Sequence, residues 1–362
     1  MRFVFSVALF CILGVLLEGE GILRPENAAA YIGAESKESL ARARGSVRKI
    51  GEISTGPGPK SLLFHPDGVR LVTALLYGSG VDVFSLSSFD REIIVTLDNS
   101  TTGFVEMAYQ KQRGELWVSQ MLSDSVHVLD GETLQPIRSI STGGQWPKGV
   151  EFSPDGKTAY VSHWNSEDVS FLDTETGEAV ATVAIPGIPR GIAVSGDGAE
   201  LYVANFSNGT IAVVDVGTAA ISRIIGCGPG AKRHIVIDHT RQLLYASDMF
   251  TGRVTVVDLI DYSFKHTDRL GSNPNTIVLS ANGNYLFVSI RGKNSAVDYR
   301  LPGPEYGRIL IIDTDTLEVL QELPAGNQPT GLALSPDQSL LAYSNFLDDT
   351  IEVYEISGIG PR

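Results

Sequence analysis

The chain has 362 residues, of which 43% are hydrophobic and 19% charged, with 38 glycines and 17 prolines. That is a folded, turn-rich composition that excludes disorder and collagen-like structure, and the length allows two or three ordinary domains or one large repeat-built domain. Twenty-eight Lys and Arg against 42 Asp and Glu give a formal charge of −14, which repels phosphate backbones and anionic lipid and disfavours bulk nucleic-acid binding.

At the N-terminus Arg2 precedes an apolar stretch from Phe3 to Leu17, closed by Glu18, with small residues at Gly19 and Gly21 and again at Ala28 to Ala30. The stretch is shorter than the roughly 20 residues that span a bilayer as a helix, and its grammar is that of a signal peptide. We therefore expect a leader over 1–21, a linker over 22–45 and a secreted or periplasmic mature chain without integral membrane association; an uncleaved anchor is the alternative. Without the leader Cys227 stands alone, which leaves no intrachain disulfide and no cysteine metal cluster.

From residue 46 onward one pattern recurs. The strand Leu201-Tyr202-Val203-Ala204-Asn205 reappears as Ala159-Tyr160-Val161-Ser162-His163, and seven copies end at Leu75, Gln120, His163, Asn205, Asp248, Ile290 and Asn345. A following strand, apolar at alternate positions, closes at Ser85, Asp130, Asp173, Asp215, Asp258, Asp313 and Glu355. Ahead of them comes a run such as Pro189-Arg190-Gly191-Ile192-Ala193-Val194 and a turn such as Asp67-Gly68, Asp155-Gly156, Asp197-Gly198 or Asn282-Gly283. Those turn residues tolerate the positive φ of a tight hairpin. With an outer strand such as Ala179 to Val183, each period of roughly 42 residues is a four-stranded propeller blade. The pattern predicts an all-β, single-domain, seven-bladed β-propeller over 46–358 with antiparallel blades. The segment Val47–Ile53 should supply the outer strand that the last copy lacks and so remove an open edge.

The Pro-x-Gly inner strand, the Ser-Pro-Asp-Gly turn, the Tyr-Val-Ala-Asn middle strand and the Val-x-Val-Val-Asp third strand together resemble the YVTN-type seven-bladed β-propeller family of exported proteins. The resemblance covers nearly everything after residue 45 and implies a scaffold, so function must lie where blades depart from the repeat. The inner-strand starts and middle-strand ends share one face. Aligned with Arg190 are Lys60, Lys148, Arg233, Asn275 and Thr330, while the second blade, near Val105, has an ambiguous register. A ring of Lys60, Lys148, Arg190 and Arg233 would focus positive potential at the channel mouth, and Arg forks suit carboxylate or phosphate. His163, His234, Asn205, Asp248 and Asn345 join the same candidate rim. Arg291 opens an insertion between Ile290 and Ile309 that carries Tyr299 and Tyr306 and has the position of a lid or partner contact.

The segment Gly228-Pro229-Gly230-Ala231-Lys232-Arg233-His234 is similar to the Gly-Pro-Arg-His segment of the lactonase propellers related to 6-phosphogluconolactonase. That resemblance implies Arg233, His234 and Asp248 as a set that holds a carboxylate and activates water. Here the insert Gly-Ala-Lys separates Arg233 from Pro229, and Met249 stands where that family has its glutamate. Six histidines without a close-spaced pair argue against a metal site, and no cofactor motif is present. The expectation is a monomeric, non-catalytic binding or scaffolding protein with a small anionic ligand or a protein partner at the basic-ringed mouth. A lactone hydrolase and a single-stranded nucleic-acid binder are the alternatives.

Overall fold

The computed structural model describes residues 46–98 and 100–357. The expected leader and linker lie outside the described residues. Twenty-eight strands form seven four-stranded antiparallel sheets, the blades of one propeller. The inner strands are Pro59–Phe64, Phe104–Gln110, Pro147–Phe152, Pro189–Val194, Lys232–Asp238, Pro274–Leu279 and Pro329–Leu334, in blades 1 to 7. The second strands end at the seven residues the repeat marks, Leu75 through Asn345. Ring closure also follows the sequence: Ser46–Ser54 pairs with Thr350–Ser357, placing Val47 opposite Ile356 and Ile53 opposite Ile351.

Second and third strands are buried on both faces, whereas outer strands alternate, as in the exposed and buried pattern of Ala179–Ala184. The cause is that each blade is covered by a neighbour on either side. The core is accordingly divided into seven seams between adjacent blades. One such seam joins Tyr202 and Ala204 of blade 4 to Leu244 and Ala246 of blade 5, and the closing seam joins blade 7 to blade 1 through Ala342, Ile351, Leu71 and Phe84. Trp117, Tyr160, Tyr202, Tyr245 and Phe287 occupy the same second-strand position and are fully buried. Burying side chains of this size contributes about 2–3 kcal/mol each, which explains why that strand is the most recognisable part of the repeat.

The turns behave as the residues dictate. Gly156 sits at φ 71° and Gly198 at φ 75°, and Asp155 and Asp197 accept the N–H two residues on at 3.1 and 3.0 Å. Acids that close the third strands do the same for the next hairpin: Asp173 accepts the N–H groups of Glu175 and Thr176. Backbone and hydroxyl bonds hold the Asp130, Asp173 and Asp215 carboxyls below the usual range, so these are turn formers. Cys227 is a buried free thiol, pushed up by burial and thus poorly reactive.

Candidate functional site

At the start of every inner strand the register with the second strand shifts by one residue. Such a β-bulge re-aims the side chain it carries, and its second residue is Lys60, Val105, Lys148, Arg190, Arg233, Asn275 or Thr330 around the ring. The glycine of Pro-x-Gly lets adjacent bulges approach. A Cβ on Gly149 would lie 2.9 Å from the Arg190 carbonyl oxygen, and one on Gly191 would lie 2.8 Å from that of Arg233. A serine near the end of the second strand then stitches blade to blade. Ser162 accepts from the Gly149 N–H at 3.0 Å and donates to the Arg190 carbonyl at 2.7 Å. Ser119 serves Glu106 and Lys148 in the same way, Ser247 serves His234 and Asn275, and Ser344 serves Gly331 and Pro59.

This scaffold brings Lys60, Lys148, Arg190, Arg233 and Arg291 into one cluster. The charges of Arg291, Arg233, Arg190 and Lys148 all act on Lys60, and Arg190, Glu106 and Arg233 act on Lys148. Lys148, Arg190, Arg233 and Arg291 are between 3% and 8% exposed, while Lys60 is half-buried. Glu106 stands among them, with its carboxylate 3.7 Å from the Arg190 guanidinium and 3.9 Å from that of Arg233. These distances exceed a hydrogen bond, and Arg190 Nη1 and both Nη atoms of Arg233 are buried without a hydrogen-bond partner. Burial first, then like charge, presses both lysines well below the ordinary lysine range. The guanidiniums retain their charge because their intrinsic pKa is above about 12.

Aromatic rings wall the cluster. Lys148 Nζ lies 5.5 Å from the rings of both Trp146 and Trp164, the Arg190 guanidinium 5.7 Å from Trp164, and Lys60 Nζ 4.6 Å from Phe346. The sixth-blade insertion folds over blade 7 toward blade 1. Arg291 donates to Gln328, and Gln328 donates to the Tyr299 carbonyl at 2.6 Å. Burial and then Tyr299 push the Tyr77 hydroxyl of blade 1 up to about 12.

The other predicted rim residues have hydrogen-bond or ion-pair partners within their own blades. His163 bonds to Asp168 at 2.7 Å, Asn205 to Thr210 at 2.8 Å, and Asn345 to Thr350 and Glu352 at 3.2 and 3.0 Å. Each partner belongs to the third strand of the same blade. Asp248 is fully buried in an ion pair with Lys232 at 2.6 Å, and Lys232 also reaches Thr255 at 2.7 Å. Arg233 feels Arg190, Glu106 and Arg291, so the structure does not bring Asp248 together with Arg233 and His234 as the lactonase resemblance implied. His234 has a buried Nδ1 without a partner. Desolvation, which outweighs Glu106, lowers its pKa to about 4 and leaves the imidazole neutral near pH 7. Sequence reasoning missed Glu106, which takes the position held by Gly149, Gly191 and Gly331 in other blades, and Lys232, which takes the position of their proline.

Among the described residues no helix is long and apolar enough to cross a membrane, and no group of His, Cys, Asp and Glu could hold a metal ion. The fold and its bulge-borne cations define a seven-bladed propeller with one polar mouth. The chain belongs to the YNCE-like beta-propeller family, whose model matches residues 104–318. It is 36% identical over 347 residues to antigen Lp49 of Leptospira interrogans serogroup Icterohaemorrhagiae serovar copenhageni (strain Fiocruz L1-130), covering 93% of this chain and 75% of that relative. A solved structure, the hydrazine synthase of Kuenenia stuttgartiensis, superposes with a TM-score of 0.72 at 20% identity. That match covers 84% of this chain and 97% of the other and shows the shared fold.

Proposed function

We propose that this propeller is an exported binding protein that captures a small carboxylate or phosphate anion at its channel mouth. The observation that carries the reading is the surplus of positive charge: the Arg190 and Arg233 guanidiniums share the single Glu106 carboxylate at 3.7 and 3.9 Å, with Arg190 Nη1 and both Arg233 Nη atoms buried and, among the described residues, without a hydrogen-bond partner. An anion about 4 Å from one of them gains about 4 kcal/mol at an effective dielectric constant of 20. A cation–π contact supplies about 0.5–2 kcal/mol, so the tryptophans orient the cations and an anion would satisfy them. In a chain of net charge −14, this enclosed positive region also steers small anions while the remaining surface repels nucleic acid. Export is supported by the N-terminal apolar stretch and accords with a relative named as an antigen.

The test is isothermal titration with citrate, pyrophosphate and 2-hydroxyglutarate. Binding that weakens with salt and falls about 10- to 100-fold in Arg233→Gln is expected, the range of a lost charge-assisted hydrogen bond of about 1.5–3 kcal/mol. Absence of binding across the panel by the folded wild-type protein would remove the proposal.

A further inference from the structure

The cluster contains two chemically different cations. A guanidinium stays protonated, whereas an ammonium crowded by like charge can release a proton and become a nucleophilic amine. Lys60 is placed for that change. Its Nζ meets the face of Phe346 at 4.6 Å. The charges of Arg291, Arg233, Arg190 and Lys148 act on it, Glu106 and His234 are further ionisable groups of the cluster, and Tyr77 packs against the same Phe346 ring with centroids 5.6 Å apart. Lys148 is less suited, because its amine is against Met121 and two indole rings and the residue is only 7% exposed. Lys60, by contrast, is half-buried.

We propose that Lys60 forms a reversible imine with 2-oxo dicarboxylic acids whose carboxylates are held by the neighbouring guanidiniums. The inference rests on the anion-binding reading and adds the carbonyl to it: the arginines select the acid groups, and the amine selects a ketone beside one of them. The uncharged amine nitrogen attacks the carbonyl carbon. The carbon–oxygen bond then breaks, and the oxygen leaves as water carrying both amine hydrogens, with no oxidation or reduction. Burial, followed by those four cations, holds the Lys60 amine well below the ordinary lysine range. Its reactive form is therefore populated at lower pH than at an exposed lysine.

The experiment treats the full chain with 2-oxoglutarate and cyanoborohydride near neutral pH, followed by peptide mapping. The reductant traps an imine as a stable secondary amine. Lys60 should be labelled severalfold faster than exposed Lys157 and Lys265. Excess 2-hydroxyglutarate, which has the acid groups without the ketone, should suppress that label, and Lys60→Arg should abolish it. Labelling of Lys60 no faster than of Lys157, or preferential labelling of Lys148, overturns the assignment. If 2-hydroxyglutarate still binds the wild-type protein in that case, the anion site stands and the imine alone fails; if it does not bind, both fail. Should Lys60→Arg not fold, wild-type mapping with and without competitor decides the question.

Discussion

Blade 5 contains two kinds of buried positive charge on consecutive residues. Lys232 is paired one to one with Asp248 at 2.6 Å, and both are essentially inaccessible. Arg233, one residue later, lies 3.9 Å from a carboxylate that it shares with Arg190, and its Nη atoms lack hydrogen-bond partners. A closed pair with additional bonds from the backbone of Ala231, Phe250 and Thr251 stabilises its blade and has no capacity left for a ligand. The open cluster repels itself, and in the proposed function an added anion would satisfy it. The bulge turns two adjacent cations to opposite purposes, and it is stoichiometry of charge, rather than charge itself, that separates a structural site from a binding one.

The largest way to break this comparison is Lys232→Met. Removing one partner leaves the Asp248 carboxylate buried and unpaired, which costs about 3–5 kcal/mol, and urea unfolding should show a midpoint lowered accordingly. Arg233→Gln, by contrast, should leave the midpoint within about 1 kcal/mol while anion affinity collapses. A comparable loss of stability in both variants would abolish the distinction drawn between the two residues.

A second test uses pH. His234 is held at about 4, below the roughly 6.5 of an unfolded chain, so between those values the unfolded state binds more protons and stability falls on acidification. The neutral-imidazole contribution is complete above about pH 6.5 and lost toward pH 4, on the order of 1–3 kcal/mol. His234→Gln should flatten the stability curve in that window, and an unchanged slope would assign it to other groups. Asp248, held low by Lys232 and by backbone bonds against the effect of burial, contributes stability above the unfolded carboxyl range that disappears only in stronger acid. The two effects are thus separable by where they fall.

The smallest expected effect is that of Ser162→Ala, which removes one donor–acceptor stitch and costs about 1 kcal/mol. Because that stitch anchors the Arg190 carbonyl, anion affinity should drop severalfold with it. Full affinity in a destabilised Ser162→Ala protein would show that the bulge holds its arginine without help from the next blade.

The architecture was legible because each blade restates it. Strand ends, turns and the closing strand could be checked against six other copies, and Lys60, Lys148, Arg190 and Arg233 fell into place once the register was known. Glu106 escaped because blade 2 begins Phe104-Val105-Glu106, without the Pro and Gly that mark the bulge elsewhere. Lys232 escaped because three residues inserted after Pro229 obscure which one opens the strand. His163, Asn205 and Asn345 were assigned to the rim by position alone. Their side chains meet the residue five along, Asp168, Thr210 or Thr350, just across the hairpin. Repeat alignment gives the location of a residue; the competition between a ligand and a nearby backbone or hydroxyl partner is a tertiary fact that it does not contain.

The strand that closes the ring has a temporal consequence. All five cations lie between residues 60 and 291, yet the geometry that gathers them depends on a ladder in which Arg48 meets Glu355, 307 residues away. Bringing ends so distant together costs about 5 kcal/mol of chain entropy, recovered only when the last seam forms. A nascent or truncated chain can therefore possess every residue of the mouth and still have no mouth. In the proposed function, binding competence would arrive with the final strand, and ligand capture would be a readout of complete synthesis.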